Sequence, residues 1–317
     1  MKAVLYERYG THDVLELQEV GIPAVMEDEV RVRVRAAAAH IGDWRLLTAT
    51  PWVVRLHSGM RKPKRPILGH DFAGTIDAVG KNVSRFQAGD KVYGMSTNAG
   101  AFAEYISVPE YGVALKPPKL TDEETAVVPH GALTALQGLR DKGRIQSGQN
   151  VLIIGASGAV GTLAVQIAKA FGAKVTGVCS TGRMDMVRSI GVDHVIDYRQ
   201  EDFARSGTRY DLIYDLVGDR PIRDYRSSLD QGGVYVAVSG APTRLLWIAL
   251  TGRGQFVTLI TQPNCEDLEF INELLLTGKL TPIMDRCYSL SELPEALRYI
   301  GEGHAQGHSR GKIAVTV

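Results

Sequence analysis

Val151-Leu-Ile-Ile-Gly-Ala-Ser-Gly-Ala-Val-Gly-Thr-Leu-Ala-Val-Gln-Ile-Ala-Lys-Ala-Phe-Gly172 reads as a buried strand, a glycine turn and a helix, in that order. Val151 to Ile154 is a continuous apolar run, as a central parallel strand covered on both faces requires. Gly155, Ser157, Gly158 and Gly161 then make a turn with little side-chain bulk. The helix carries Leu163, Ile167 and Ala170 on one face and stops at Gly172. A helix opening there aims free N–H groups and a positive dipole end at whatever lies over the turn, which suits a pyrophosphate. The spacing Gly155-x-x-Gly158-x-x-Gly161 departs from G-x-G-x-x-G, and alone it also fits a tight turn that binds nothing.

A second strand, Lys174 to Cys179, follows about 20 residues after the turn, where a dinucleotide fold reads the adenosine ribose. An NAD site places Asp or Glu at that strand's end. Here the sequence is Cys179-Ser180-Thr181-Gly182-Arg183. Hydroxyls and a guanidinium suit a 2′-phosphate, which a carboxylate would repel. The expected ligand is NADPH, with Ser157, Gly158, Ala159 and Val160 under the pyrophosphate and Ser180, Thr181 and Arg183 at the 2′-phosphate.

Outward from this unit, the first 120 residues carry short β-type runs: Lys2 to Tyr6, Val14 to Glu19, Glu29 to Ala36, Asp71 to Val79, Lys91 to Tyr93 and Ala103 to Val108. Arg31-Val-Arg-Val-Arg35 alternates as a strand with one wet face does. This half reads as an antiparallel, barrel-like domain. From about Thr121 the period becomes helical, with strands at Val151, Lys174, His194, Tyr210, Gly233 and Phe256. The class is therefore α/β, with a doubly wound parallel sheet in this half. A final strand covers Gly311 to Val317.

The 317 residues include 36 basic and 35 acidic side chains, so total charge points to neither a nucleic-acid nor a membrane partner. Cys179, Cys265 and Cys287 are scattered, without CxxC or finger spacing, which argues against a structural zinc and a disulfide framework. The opening residues lack a signal-peptide core, and no apolar run approaches the roughly 20 residues of a membrane helix. A soluble, cytoplasmic protein is expected. Arg55 to Arg65 reads as a solvated basic loop. His304 and His308 read as part of an exposed loop, because Gly301, Gly303 and Gly307 disfavour a helix. Cys179 reads as packing.

A family resemblance rests on Tyr9-Gly10, Gly69-His-Asp-Phe-Ala-Gly74, Val79-Gly80 and Gly89-Asp-Lys-Val-Tyr-Gly94. It continues through Ala103-Glu-Tyr105, Leu133-Thr-Ala135, Gly155 to Gly161 with Gln166, Gly191, Asp197-Tyr198 and Gly311-Lys-Ile. In this order the motifs resemble the medium-chain dehydrogenase/reductase superfamily, in its zinc-independent quinone oxidoreductase branch. The resemblance implies a GroES-like catalytic domain of residues 1–120 completed by 285–317, and a Rossmann domain of 121–284. It also implies NADPH in the cleft between them and a homodimer. Thr134 then corresponds to a threonine near the nicotinamide, Tyr198 to a residue beside the adenosine phosphate, and Val217 and Ser239 to cofactor-side strand ends.

By the same resemblance, Ala39-His-Ile-Gly-Asp-Trp-Arg45 matches the segment that supplies zinc ligands in true alcohol dehydrogenases, putting His40 and Asp43 at the site. Gly69-His70-Asp71 holds the second ligand position and His130 the third. Three histidines are compatible with a zinc alcohol dehydrogenase. The preferred reading makes His40 and His130 polar lining, with His40 as proton donor after hydride transfer to a quinone or α,β-unsaturated carbonyl compound. A non-enzymatic NADPH-binding redox sensor is the remaining alternative.

Overall fold

The computed structural model describes residues 1–252, 254–305 and 312–317. The chain divides into two compact units. One comprises Met1–His130, Gln262–Leu276 and Pro282–Val317; the other comprises Gly131–Thr261 and Thr277–Thr281.

The strands, in chain order, are β1 (Lys2–Leu5), β2 (Glu16–Glu19), β3 (Glu29–Ala39), β4 (Asp71–Val79), β5 (Lys91–Met95), β6 (Tyr105–Pro109) and β7 (Val113–Leu115). There follow β8 (Asn150–Ile154), β9 (Lys174–Cys179), β10 (His194–Asp197), β11 (Tyr210–Asp215), β12 (Leu229–Ala237), β13 (Phe256–Thr258), β14 (Met284–Ser289) and β15 (Lys312–Thr316). The α-helices are α1 (Ile41–Thr48), α2 (Val54–Ser58), α3 (Asp122–Ala126), α4 (Pro129–Leu136) and α5 (Gly161–Ala170). They continue with α6 (Met184–Ser189), α7 (Ile222–Ser228), α8 (Pro242–Thr251), α9 (Cys265–Leu276) and α10 (Leu293–Ala305).

In the first unit, a sheet of order β14-β15-β3-β4-β5-β7, with β6 also on β3, wraps the core. Val30, Val32 and Val34 of β3 are buried while the intervening arginines face outward, as the alternation requires. They meet Phe72 and Ile76 of β4, and Phe102. This is the GroES-like half. The unit runs to His130, ten residues past the expected 120, because α3 packs on β3, β4 and β15. Residues 262–276 also belong to it, because α9 packs on β7. Strands β7 and β14 were absent from the sequence reading.

In the second unit, six parallel strands run β10-β9-β8-β11-β12-β13. In order of appearance that is 3-2-1-4-5-6, the Rossmann arrangement. All six correspond to runs marked in the sequence. Burial runs on along β8 and β11 without alternating, as in parallel strands covered on both faces.

Two loop expectations fail, and the first is at residues 55–58, which are helical, in α2. Residues 301–305 are helical, not loop, in α10. A Cβ at Gly301 would lie 2.5 Å from Trp44 Cε2, so this glycine lets α10 close on α1 and does not end the helix. His308 lies outside the described residues, as does the His304 side chain.

Candidate active site

In the second unit, the expected cofactor residues gather along one edge, at the carboxyl ends of the parallel strands. Ser157, Gly158, Ala159 and Val160 form the turn after β8; Ser180, Thr181 and Arg183 follow β9; Tyr198 follows β10; Val217 follows β11; and Ser239 follows β12. The glycines have separate tasks. Gly155 takes φ +85°, and a Cβ on Gly161 would come within 2.0 Å of the Gly155 carbonyl oxygen, so strand and helix meet only without a side chain there. At Gly158 a Cβ would stand 3.3 Å from the same oxygen. The bare turn under the start of α5 fits a pyrophosphate.

Asp215 holds the next turn. Its buried carboxylate accepts from the Val217 and Gly218 amides at 3.0 and 2.9 Å, and from the Tyr235 hydroxyl at 2.7 Å. Gly218, at φ +73°, leaves no room for a side chain: a Cβ would sit 2.3 Å from the Ser239 carbonyl oxygen. Gly218 and Ser239 are thus brought side by side. Thr134 differs. It is buried in α4, its hydroxyl paired with that of Thr261 at 2.8 Å and its carbonyl accepting from Tyr214.

At the end of β9, the Thr181 hydroxyl donates to Asp197, whose carboxyl is held below its ordinary range by that bond and by the Arg199 amide. Sequence reasoning missed this acid because it comes from the neighbouring strand, β10. Thr181 is thereby committed to an ionised carboxylate, against its expected place at the 2′-phosphate, while Ser180 and Arg183 stand beside it after β9. Tyr198 is about half exposed, with the Arg199 guanidinium over its ring at 6.0 Å. Cys179 is buried, its thiol pushed up to about 11 by desolvation, and reads as packing.

In the first unit, His40, His70 and His130 stack. The His40 ring centroid lies 5.9 Å from that of His70 and 4.6 Å from that of His130, with interplanar angles of 23° and 14°. Each is placed by local chemistry. His40 caps α1: its Nδ1 accepts the Gly42 amide at 3.0 Å, and its own amide donates to Asp43 Oδ2 at 2.9 Å. Asp43 Oδ1 accepts the Gly69 amide at 3.1 Å, tying α1 to the segment that carries His70. His70 Nδ1 donates to the Ser96 carbonyl at 2.8 Å. The His130 amide donates to Asp71 Oδ1 at 2.9 Å, and Asp71 Oδ2 faces Lys312 Nζ at 3.2 Å. Asp71 and Lys312 are both fully or almost fully buried, a pair that sequence reading missed across 241 residues.

The electrostatics follow from burial. Desolvation, then the Lys312 ammonium and His70, holds His40 well below the ordinary histidine range; His130 is lowered by desolvation, then by His40, Lys312 and His70. Burial pushes the Asp43 and Asp71 carboxyls up, opposed chiefly by His70 at Asp43 and by Lys312 at Asp71. His40 is therefore neutral. Because an amide only donates, Nδ1 carries the lone pair and the proton is assigned to Nε2, which has no hydrogen-bond partner among the described residues.

A zinc ion shared by these rings would have to lie in all three ring planes, since an imidazole lone pair lies in its ring. The buried Lys312 ammonium, close enough to lower His40 and His130, repels a dication there. Among the described residues no three His, Cys, Asp or Glu side chains are grouped to hold a metal. The donor set does not fit zinc.

The chain matches the "Alcohol dehydrogenase GroES-like domain" over residues 26–118 and the "Zinc-binding dehydrogenase" family over 190–315. It is 34% identical to a 2-methylene-furan-3-one reductase of Solanum lycopersicum, across 97% of this chain and 78% of that protein. An NADPH-dependent alkenal/one oxidoreductase of Arabidopsis thaliana, chloroplastic, is 32% identical over the same shares. The solved quinone oxidoreductase of Coxiella burnetii superposes with a TM-score of 0.87 at 29% identity, covering 100% of this chain and 99% of its own.

Proposed function

This chain belongs to the quinone oxidoreductase branch of the medium-chain dehydrogenase/reductase superfamily, and from that premise we propose that it reduces a quinone or α,β-unsaturated carbonyl compound with NADPH and without metal. The observation that carries this reading is the buried Lys312 ammonium beside the three histidines, where metal-dependent relatives need a dication. NADPH supplies the hydride when bound. The chain's residues suited to hold it are the Ser157 to Val160 turn, and Ser180 and Arg183 at the 2′-phosphate.

His40 Nε2–H is a neutral, buried donor, suited to hydrogen-bond a carbonyl oxygen as negative charge gathers there. A neutral imidazole is a weak acid, so water completes the protonation and His40 acts by polarising. Asp43 acts as a positioning residue, holding the His40 and Gly69 amides. Reduction by positioning and a few donors needs no strong acid or base.

We also assign a homodimer and a cytoplasmic location. β13 ends its sheet, offering an edge that a second copy can extend, and among the described residues no helix is long and apolar enough to cross a membrane. Light scattering of the purified protein tests the dimer.

The deciding experiment compares enones, quinones and aldehydes with NADPH and NADH, before and after chelator treatment. Enone or quinone turnover that prefers NADPH and survives chelation is expected. Loss of activity on chelation with recovery on adding zinc, or no turnover of any carbonyl or quinone, overturns the proposal.

A further inference from the structure

The near-zero total charge conceals a local excess. Between Asp43 and Asp71 there is no carboxylate, while Arg55, Arg61, Lys62, Lys64 and Arg65 crowd into residues 55–65. Reading this stretch as solvated loop accounts for its charges but not for its apolar side chains.

Helix α2 and its flanks expose a cluster of large apolar side chains. Trp52, Val53, Leu56 and Met60 are 59%, 43%, 63% and 52% exposed. The polar side faces the barrel: the Tyr9 hydroxyl donates to the Gly59 carbonyl at 2.6 Å and pairs with Ser58 Oγ at 2.9 Å, and the Arg55 guanidinium lies over the Tyr9 ring at 4.8 Å. An ordinary surface helix does the reverse. Trp52 and Leu56, four apart, and Val53 and Leu56, three apart, share one face. The basic turn folds back beside it, the Lys64 amide donating to the Ser58 carbonyl at 2.8 Å and Pro63 buried beneath. Arg61, Lys62, Lys64 and Arg65 are all exposed around this apolar face.

We propose that residues 52–65 form a docking surface for an anionic lipid bilayer, with Trp52, Leu56 and Met60 entering the headgroup boundary and the Arg61–Arg65 turn meeting lipid phosphates. Apolar side chains ringed by cations are what an interfacial segment presents. The charge excess and the exposed apolar face are independent observations that point to the same partner. The lobe is also the chain's link between His40 and His70, so it ties any lipid contact to the segments that position the stack.

The test is co-sedimentation of the full chain with phosphatidylcholine vesicles, with and without about 30% phosphatidylglycerol. Binding to the anionic vesicles, at least about tenfold weaker on phosphatidylcholine alone and screened by salt, is expected. Replacing Lys62 and Lys64 together by alanine should weaken partitioning about thirtyfold, from about 1 kcal/mol for each basic side chain. Brominated acyl chains should quench Trp52 fluorescence, and Trp52→Phe should remove that component while the protein melts unchanged. Equal binding to both vesicle types, no binding to either, or self-association that is lost with Trp52→Phe while vesicles are ignored would overturn the proposal.

Discussion

Replacing Lys312 by methionine keeps the length of the side chain and removes only its charge. The ammonium lies 3.2 Å from Asp71 Oδ2, with both groups shut from water. At an effective dielectric of about 20, two unit charges at that distance attract by about 5 kcal/mol. Desolvation offsets much of this in the intact pair, but the substitution leaves a buried carboxylate uncompensated, which typically costs about 3–5 kcal/mol. Chemical denaturation followed by circular dichroism should show a loss of that size at pH 8. The sign with pH is fixed. Burial already raises the Asp71 carboxyl, and loss of the ammonium that opposes burial raises it further. A carboxyl whose folded pKa lies above its unfolded value contributes stability below the unfolded pKa and loses it as pH rises through the folded one. The gap between wild type and variant should therefore narrow on acidification. Adding Asp71→Asn, which keeps an acceptor for the His130 amide, should recover most of the loss and give a large coupling in a double-mutant cycle. A loss below about 1 kcal/mol that does not change between pH 8 and 5 would refute the reasoning.

Arg183→Ala should weaken NADPH about 10- to 100-fold by calorimetry while leaving NADH unchanged; equal losses for both would remove the 2′-phosphate assignment. Gly161→Ala forces a Cβ onto the Gly155 carbonyl and should lower the melting temperature and abolish cofactor binding, whereas Gly158→Ala, with 3.3 Å available, should fold normally. His40→Asn keeps an N-cap and should leave melting nearly unchanged while enone reduction falls about 10- to 100-fold; unchanged turnover would exclude a donor role. Because His40 and His130 are held far below the ordinary histidine range, kcat/KM for a non-ionising enone should be flat from about pH 6 to 8, and a histidine-like inflection there would contradict their neutral state.

The parallel sheet was legible because each of its strands is a stretch bounded by turn residues, and because Gly155, Gly158 and Gly161 have a steric task that spacing alone expresses. β14 was not legible: Met284-Asp-Arg-Cys-Tyr-Ser289 lies at the sheet's end and lacks an apolar alternation. Gly301 misled for the opposite reason, since its lack of a side chain serves Trp44 across a helix contact that no local rule contains. At the candidate site the residue types could be read, but their partners could not. Lys312 in Lys-Ile-Ala-Val announces an unusual strand residue, yet nothing near it names Asp71. Likewise Ser180-Thr181-Arg183 reveals hydroxyls and a cation, whereas the carboxylate engaging Thr181 arrives from the adjacent strand.

Strand β15 lies between β14 and β3, so an element made from residues 312–316 is an interior member of a sheet begun at residue 29. During synthesis, β6 can cover Glu29–Arg33 of the β3 edge early, but Ala36–Ala39 must wait, unpaired on that side, while the entire parallel-sheet unit is translated and is free to fold. The nascent protein thus carries an open seam for most of its time on the ribosome, and chaperones that shield strand edges have their longest opportunity there.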